Sequence, residues 1–175
     1  MAPASPTVLV VMGVSGSGKT TTGRALADRL GWPFQEGDAL HPAANIAKMA
    51  AGTPLTDVDR APWLAAVAAR ISSQLAEGGS GVVTCSALRR RYRDQLRGDH
   101  PAGAVRFVYL RAPAGPIHQR LADRTGHFMP ASLLGSQVEA LEPPDADEHA
   151  LVVDALRPVG EQVDDVLAQL ASDDN

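Results

Sequence analysis

Two short stretches of this 175-residue chain combine residue types and spacings that chemistry can use. The first is GVSGSGKT, Gly13 to Thr20, which fits G-x-x-x-x-G-K-[ST] between an apolar run, TVLVVMG, and a helix-patterned segment. Glycines at 13, 16 and 18 let the backbone around Ser15 and Ser17 turn its N–H groups onto phosphate oxygens. Lys19 can then reach the β and γ phosphates, the Thr20 hydroxyl can ligate Mg²⁺, and Thr21 follows in the opening helical turn. The implied ligand is a nucleoside triphosphate. The second stretch is QEGDALHP, residues 35–42, where Asp38 and His41 follow a short apolar segment. At the end of a parallel strand they share a sheet edge with the phosphate loop. There Asp38 can hold a metal or take a proton from an attacking hydroxyl, and His41 can bind the hydroxyls of that acceptor. The plainer alternatives are an N-cap for Asp38 and a packing role for His41.

Two further groups carry positive charge. In LRRRYRDQLR, Arg89, Arg93 and Arg97 are four apart and share one helical face, suited to bidentate contact with an anionic acceptor. The alternative is a solvated basic face. RNA binding is disfavoured, because Tyr92 is the one aromatic in the run and the chain is acidic overall. In RLADRTGHFMP, Arg120 and Arg124 precede Gly126, His127 and Phe128, the pattern of a lid that closes over the triphosphate and excludes water. His127 would face the acceptor. No NKxD-type base-reading stretch is present, and VVTCSA ends in Thr84, Cys85 and Ser86 where many ATPases carry a metal-binding acid. Asp38 is then the candidate to join Thr20 at the metal.

The elements that must position these groups alternate along the chain. Short β-branched runs (TVLVVMG, WPFQEGD, SGVVTCSA, AVRFVYLRA, ALVVDA) are separated by helix-patterned segments from Thr20 to Leu30, 43–52, 61–79, 88–98, 115–126 and 160–171. Pro62 reads as the start of the third helix and Gly78 as its stop. Such alternation predicts a five-stranded parallel sheet in a three-layer α/β/α sandwich, with ligands at the carboxyl ends of the strands. The length suits one domain, with loose ends expected at 1–6 and 172–175. A net charge of −4 offers no general attraction to nucleic acid or acidic membranes. One cysteine excludes an internal disulfide, and MAPASPTVLVVMG lacks the pattern of a signal peptide or membrane span, so a cytoplasmic protein is expected.

GVSGSGKT, GDALHPAANIAKMAAGTPLTDVDRAPWL, CSALRRRYRDQLR, VYL, RTGHFMP and SQVEALEPPDADE occur in that order from about Val8 to Asp154, and together they resemble the gluconokinases. The resemblance implies transfer of the γ-phosphoryl group of ATP to the 6-hydroxyl of D-gluconate, with Mg²⁺. It also implies a fold like that of the nucleoside-monophosphate and shikimate kinases, a mobile lid near 120–135, and a homodimer. Carried onto these positions, the acceptor site would hold Asp38, His41, Arg60 and Arg93, with Arg89 beside them. By analogy with shikimate kinases, Gln137 on the helix after the lid joins them. A carboxylate at one end of gluconate asks for a guanidinium, from Arg93 with Arg60 or Arg89, and its other end asks for a base. Two rivals stay open: a kinase of shikimate or another sugar acid, and a nucleotide-dependent switch that works through a partner.

Overall fold

The computed structural model describes residues 5–113, 115–117, 119 and 133–173. Of the expected lid, residues 120–132 lie outside the described residues, and Arg120, Arg124 and His127 with them. Five parallel strands, β1 (Val8–Met12), β2 (Phe34–Gln35), β3 (Gly81–Thr84), β4 (Val105–Arg111) and β5 (Leu151–Asp154), pair in the order β2-β3-β1-β4-β5. β1 is central and buried throughout, as a Val/Leu/Met run without polar alternation requires.

Its alternate side chains divide the interior. Val8, Val10 and Met12 pack with Trp63, Leu64, Val67 and Ile71 of α3 (Asp57–Ala76) and with Tyr92 and Leu96 of α4 (Arg90–Arg97). Leu9 and Val11 face Leu26 and Ala27 of α1 (Lys19–Leu30) and Val163, Val166 and Leu170 of α6 (Val159–Asp173). The result is the predicted three-layer sandwich. α2 (Ala43–Ala50) and α5 (Leu134–Ala140) flank the carboxyl ends of the strands. Among the described residues no helix is long and apolar enough to cross a membrane.

Three boundaries differ from the sequence reading. α3 starts at Asp57, because Thr56 and Asp59 form a capping box: the Asp59 N–H donates to the Thr56 hydroxyl (3.2 Å) and the Thr56 N–H to the Asp59 carboxylate (2.8 Å). Pro62 therefore sits inside the helix and does not begin it. α6 continues to Asp173, whose carboxylate pairs with Arg106 on β4, so Ser172 and Asp173 belong to the fold and not to a loose tail. β2 stops at Gln35, and GDAL forms a 3₁₀ turn, Gly37–Leu40.

That turn is held by Thr84 at the end of β3. The Gly37 N–H donates to Thr84 Oγ1 (2.9 Å), and a Cβ on Gly37 would lie 1.7 Å from the Thr84 carbonyl oxygen. Only a glycine approaches that closely. Gly37→Ala is expected to cost about 1–3 kcal/mol as the backbone shifts away. Acceptor turnover should fall further than that loss alone explains, because Asp38 moves with the turn. Urea denaturation alongside steady-state kinetics checks both, and an unchanged midpoint would remove this contact as the anchor.

Candidate active site

The phosphate loop joins β1 to α1. Gly13 has φ 146°, Gly16 82° and Gly18 99°, values that β-carbon sterics penalise, and Gly18 is the N-cap of α1. The first turn of α1 holds no acidic side chain, and the positive end of the helix dipole there favours an anion. Lys19 Nζ donates to the carbonyls of Gly13 (3.0 Å) and Val14 (3.1 Å), which holds the ammonium over the loop. A hydrogen bond from the Gly13 N–H to the Ser86 carbonyl (3.3 Å) ties the loop to the end of β3.

A carboxylate outside the sequence-derived site meets the loop. Glu36 accepts from the hydroxyls of Thr20 and Thr84, each at 2.5 Å, and so bridges the start of α1 and the end of β3. The acid expected on β3 is thus replaced by a threonine that recruits an acid from β2. Thr20 and Glu36 offer hard oxygen donors, the set that suits Mg²⁺ held partly by nucleotide phosphates. Among the described residues no three acidic, histidine or cysteine side chains gather into a metal cluster of their own. The signal was present in QEGDALHP, where Glu36 stands two residues before Asp38.

A cleft on the other side of Lys19 brings together Asp38, His41, Arg60, Ser86 and Gln137. The His41 ring stacks on Trp63, with centroids 4.1 Å apart and planes 13° from parallel. Trp63 Nε1 donates to the Gly37 carbonyl (2.9 Å), which locks the indole beneath the histidine. Burial lowers the His41 pKa to about 4; Asp38 opposes the shift and Arg60 adds to it, so the imidazole is neutral near pH 7. Arg60 Nη1 lies 3.3 Å from the Tyr92 hydroxyl, over whose ring the guanidinium rests. Gln137 reaches from α5 to the phosphate loop, where its Oε1 accepts from the Ser15 N–H (2.6 Å). The room left among these groups is ≈ 40 Å³.

Known proteins similar to this chain identify its family. A family model described as an AAA domain matches residues 8–144. A gluconokinase of Gluconobacter oxydans is 56% identical over 148 residues, covering 85% of this chain and 82% of that relative. The chain belongs to the gluconokinase family. A crystal structure of a gluconokinase from Sinorhizobium meliloti superposes with a TM-score of 0.85 at 50% identity, over 97% of this chain and 94% of that one. Shikimate kinase from Aquifex aeolicus shares the fold at 14% identity and a TM-score of 0.66, covering 95% of this chain and 97% of its own.

Two arginines expected at the acceptor of this gluconokinase-family chain are placed elsewhere. Arg93 is fully buried and turned away from the cleft, with Nε and Nη2 on the Glu148 carboxylate (2.8 and 2.9 Å) and Nη1 on the Ala87 carbonyl (2.9 Å). Arg97 from the same helical face joins the same carboxylate at 2.8 Å. The shared face is real, but it packs on Glu148. Ala87 has φ 45°, a left-handed conformation that costs an alanine about 1–2 kcal/mol, so Arg93 holds the turn between Ser86 and Leu88 by its carbonyl. Arg89 caps α4, lies 3.7 Å from Glu142 and is not among the residues lining the cleft. Of the arginines expected at the acceptor, Arg60 is the one that lines the cleft.

A second cavity, ≈ 590 Å³, lies beside the phosphate loop, lined by Gly16, Ser17, Gly18, Thr21 and Thr22 on one side and by Ala155–Val159 on the other. Gln162 of α6 sets its wall. Its Oε1 accepts from the Thr22 hydroxyl (2.6 Å), while Nε2 donates to the Ala155 and Arg157 carbonyls (3.2 and 2.8 Å). No motif signalled this glutamine.

For Arg93→Met the expected outcome is a loss of about 3–5 kcal/mol, because the Glu148 carboxylate keeps its burial and loses its main partner. Gluconate KM should not rise selectively; a selective rise at unchanged stability would return Arg93 to the acceptor. Glu148 also sets an acid limit. Burial opposes its ionisation but is outweighed by hydrogen bonds from Arg93, Arg97 and the Asp145 N–H, which bring its pKa from 4.5 to about 2. The stability it contributes is full above pH 4.5 and is lost as pH falls towards 2. In Glu148→Gln that part of the acid slope should be absent from denaturation midpoints.

Proposed function

We propose that the protein is an ATP-dependent kinase of D-gluconate, forming 6-phospho-D-gluconate and ADP. The observation that carries the reading is a single cleft in which Asp38, neutral His41 and Arg60 face Lys19 across the phosphate loop. A linear polyol acid needs a cation for its carboxylate, groups for its hydroxyls and a base at the attacking oxygen. Arg60 supplies the first and His41 with Gln137 the second. Asp38 accepts the O6 proton as O6 attacks the γ-phosphorus and the bond to the β,γ-bridging oxygen breaks, releasing ADP.

Lys19 and the loop N–H groups stabilise the charge on the transferring group. When bound, Mg²⁺ neutralises phosphate charge, and Thr20 with Glu36, rather than Thr20 with Asp38 alone, would hold it. Arg120, Arg124 and His127 are proposed to close over the site from the lid. The family resemblance supports a cytoplasmic homodimer whose product enters the pentose phosphate pathway.

ADP release is measured with Mg²⁺ and ATP against gluconate, shikimate, other sugar acids and no acceptor. Stimulation by gluconate alone is expected; stimulation by another acid would reassign the acceptor, and acceptor-independent turnover would favour a switch. Lys19→Ala should abolish transfer, and Asp38→Asn should lower kcat by about 10²-fold or more with little change in ATP affinity. Arg60→Ala should raise gluconate KM by about tenfold or more, because a charge-assisted contact is lost.

A further inference from the structure

His41 offers two ring nitrogens, and which of them carries the proton decides whether the ring donates to the acceptor or accepts from it. The structure assigns that choice to Asn45, a buried residue in the first turn of α2 that is 3% exposed. Asn45 Nδ2 lies 2.8 Å from the Asp59 carbonyl and 3.2 Å from His41 Nδ1. A carbonyl only accepts, so the amide nitrogen, not its oxygen, must face Asp59; the reverse orientation would set oxygen against oxygen. The second hydrogen of that nitrogen then meets His41 Nδ1, which must be the unprotonated ring nitrogen. We propose that Asn45 is a positioning residue that fixes His41 as the Nε2–H tautomer and so makes it a hydrogen-bond donor to an acceptor hydroxyl oxygen. The proposal rests on the reading that His41 binds the acceptor.

The neighbouring elements keep this arrangement in place. Asp59, whose carbonyl orients Asn45, is held by the α3 capping box and by Lys48 at 2.7 Å. The charged groups about the ring are Asp38 from the 3₁₀ turn, which favours a second proton, and Arg60 from α3, which disfavours it. Trp63 covers one ring face. With Asp38 accepting and His41 donating, the cleft presents one acceptor and one donor side by side. Adjacent hydroxyls of a polyol satisfy such a pair in a single orientation, one donating to Asp38 and one accepting from His41.

The first arm of the test is ¹⁵N NMR of the ring nitrogens in the intact protein. A protonated Nε2 and a bare Nδ1 near pH 7 are expected; a proton on Nδ1 overturns the proposal without reference to activity. The second arm compares variants at position 41. His41→Gln, whose amide N–H reaches the Nε2 position, should keep gluconate KM within about threefold, and His41→Asn, whose N–H falls at Nδ1, should raise it about tenfold. Equal, unaltered KM values in both would overturn the reading of His41 as an acceptor ligand, even with the tautomer as assigned. Asn45→Asp, which can only accept, should move the proton to Nδ1 in the NMR spectrum and raise gluconate KM about tenfold while ATP KM stays within about twofold. A moved proton with an unchanged gluconate KM overturns the coupling.

Discussion

Thr84 is the point on which the site depends. Its hydroxyl donates to Glu36 and accepts from the Gly37 N–H, and its carbonyl leaves no room for a side chain at Gly37. Glu36 in turn accepts from Thr20 at the start of α1. One buried threonine thus joins β2, β3 and the phosphate loop. Everything carried by the turn after β2 inherits its position from that contact: Asp38 directly, Trp63 through its hydrogen bond to the Gly37 carbonyl, and His41 through its stack on Trp63.

Charge elsewhere is spent on holding backbone. The buried Arg93–Glu148 pair, with Arg97 on its rim, fastens α4 to the turn before β5 and grips the strained Ala87 carbonyl. The two residues that flank Ala87, Ser86 and Leu88, both line the acceptor cleft. Arg93 shapes the floor of the cleft without entering it. Fully buried against Glu148 and the Ala87 carbonyl, this guanidinium presents no exposed face to a substrate carboxylate.

Much of this was legible in the chain itself. The phosphate loop is a local motif whose glycines, lysine and threonine act through their own backbone, so spacing alone located it, and the central strands were legible as unbroken apolar runs. Partners distant in sequence were less accessible. Helical spacing puts Arg89, Arg93 and Arg97 on one face but does not say which layer that face meets, and Glu148 is 55 residues from Arg93. Pro62 is a permissible helix start, yet the Thr56–Asp59 capping box, which starts the helix five residues earlier at Asp57, satisfies more backbone groups and wins. Glu36 stands in QEGDALHP beside Asp38, but its role, like that of Gln162, depends on partners, Thr84 and Thr22, that are ordinary residues until the sheet and the α1–α6 contact form.

The two cavities lie on opposite sides of one loop. Gly16, Ser17, Gly18, Thr21 and Thr22 border the pocket beside Ala155–Val159, while Ser15 and Lys19 border the cleft of Asp38, His41 and Arg60. A nucleotide seated in the first pocket with its phosphates along the loop must therefore direct its terminal phosphate towards the second. A switch has no need of that second pocket, since its output passes to a partner through loops that change conformation. A kinase needs both, with the transferring group held between them and water kept out. The Gln137 contact to the Ser15 N–H crosses that junction and ties the cleft to the phosphate loop.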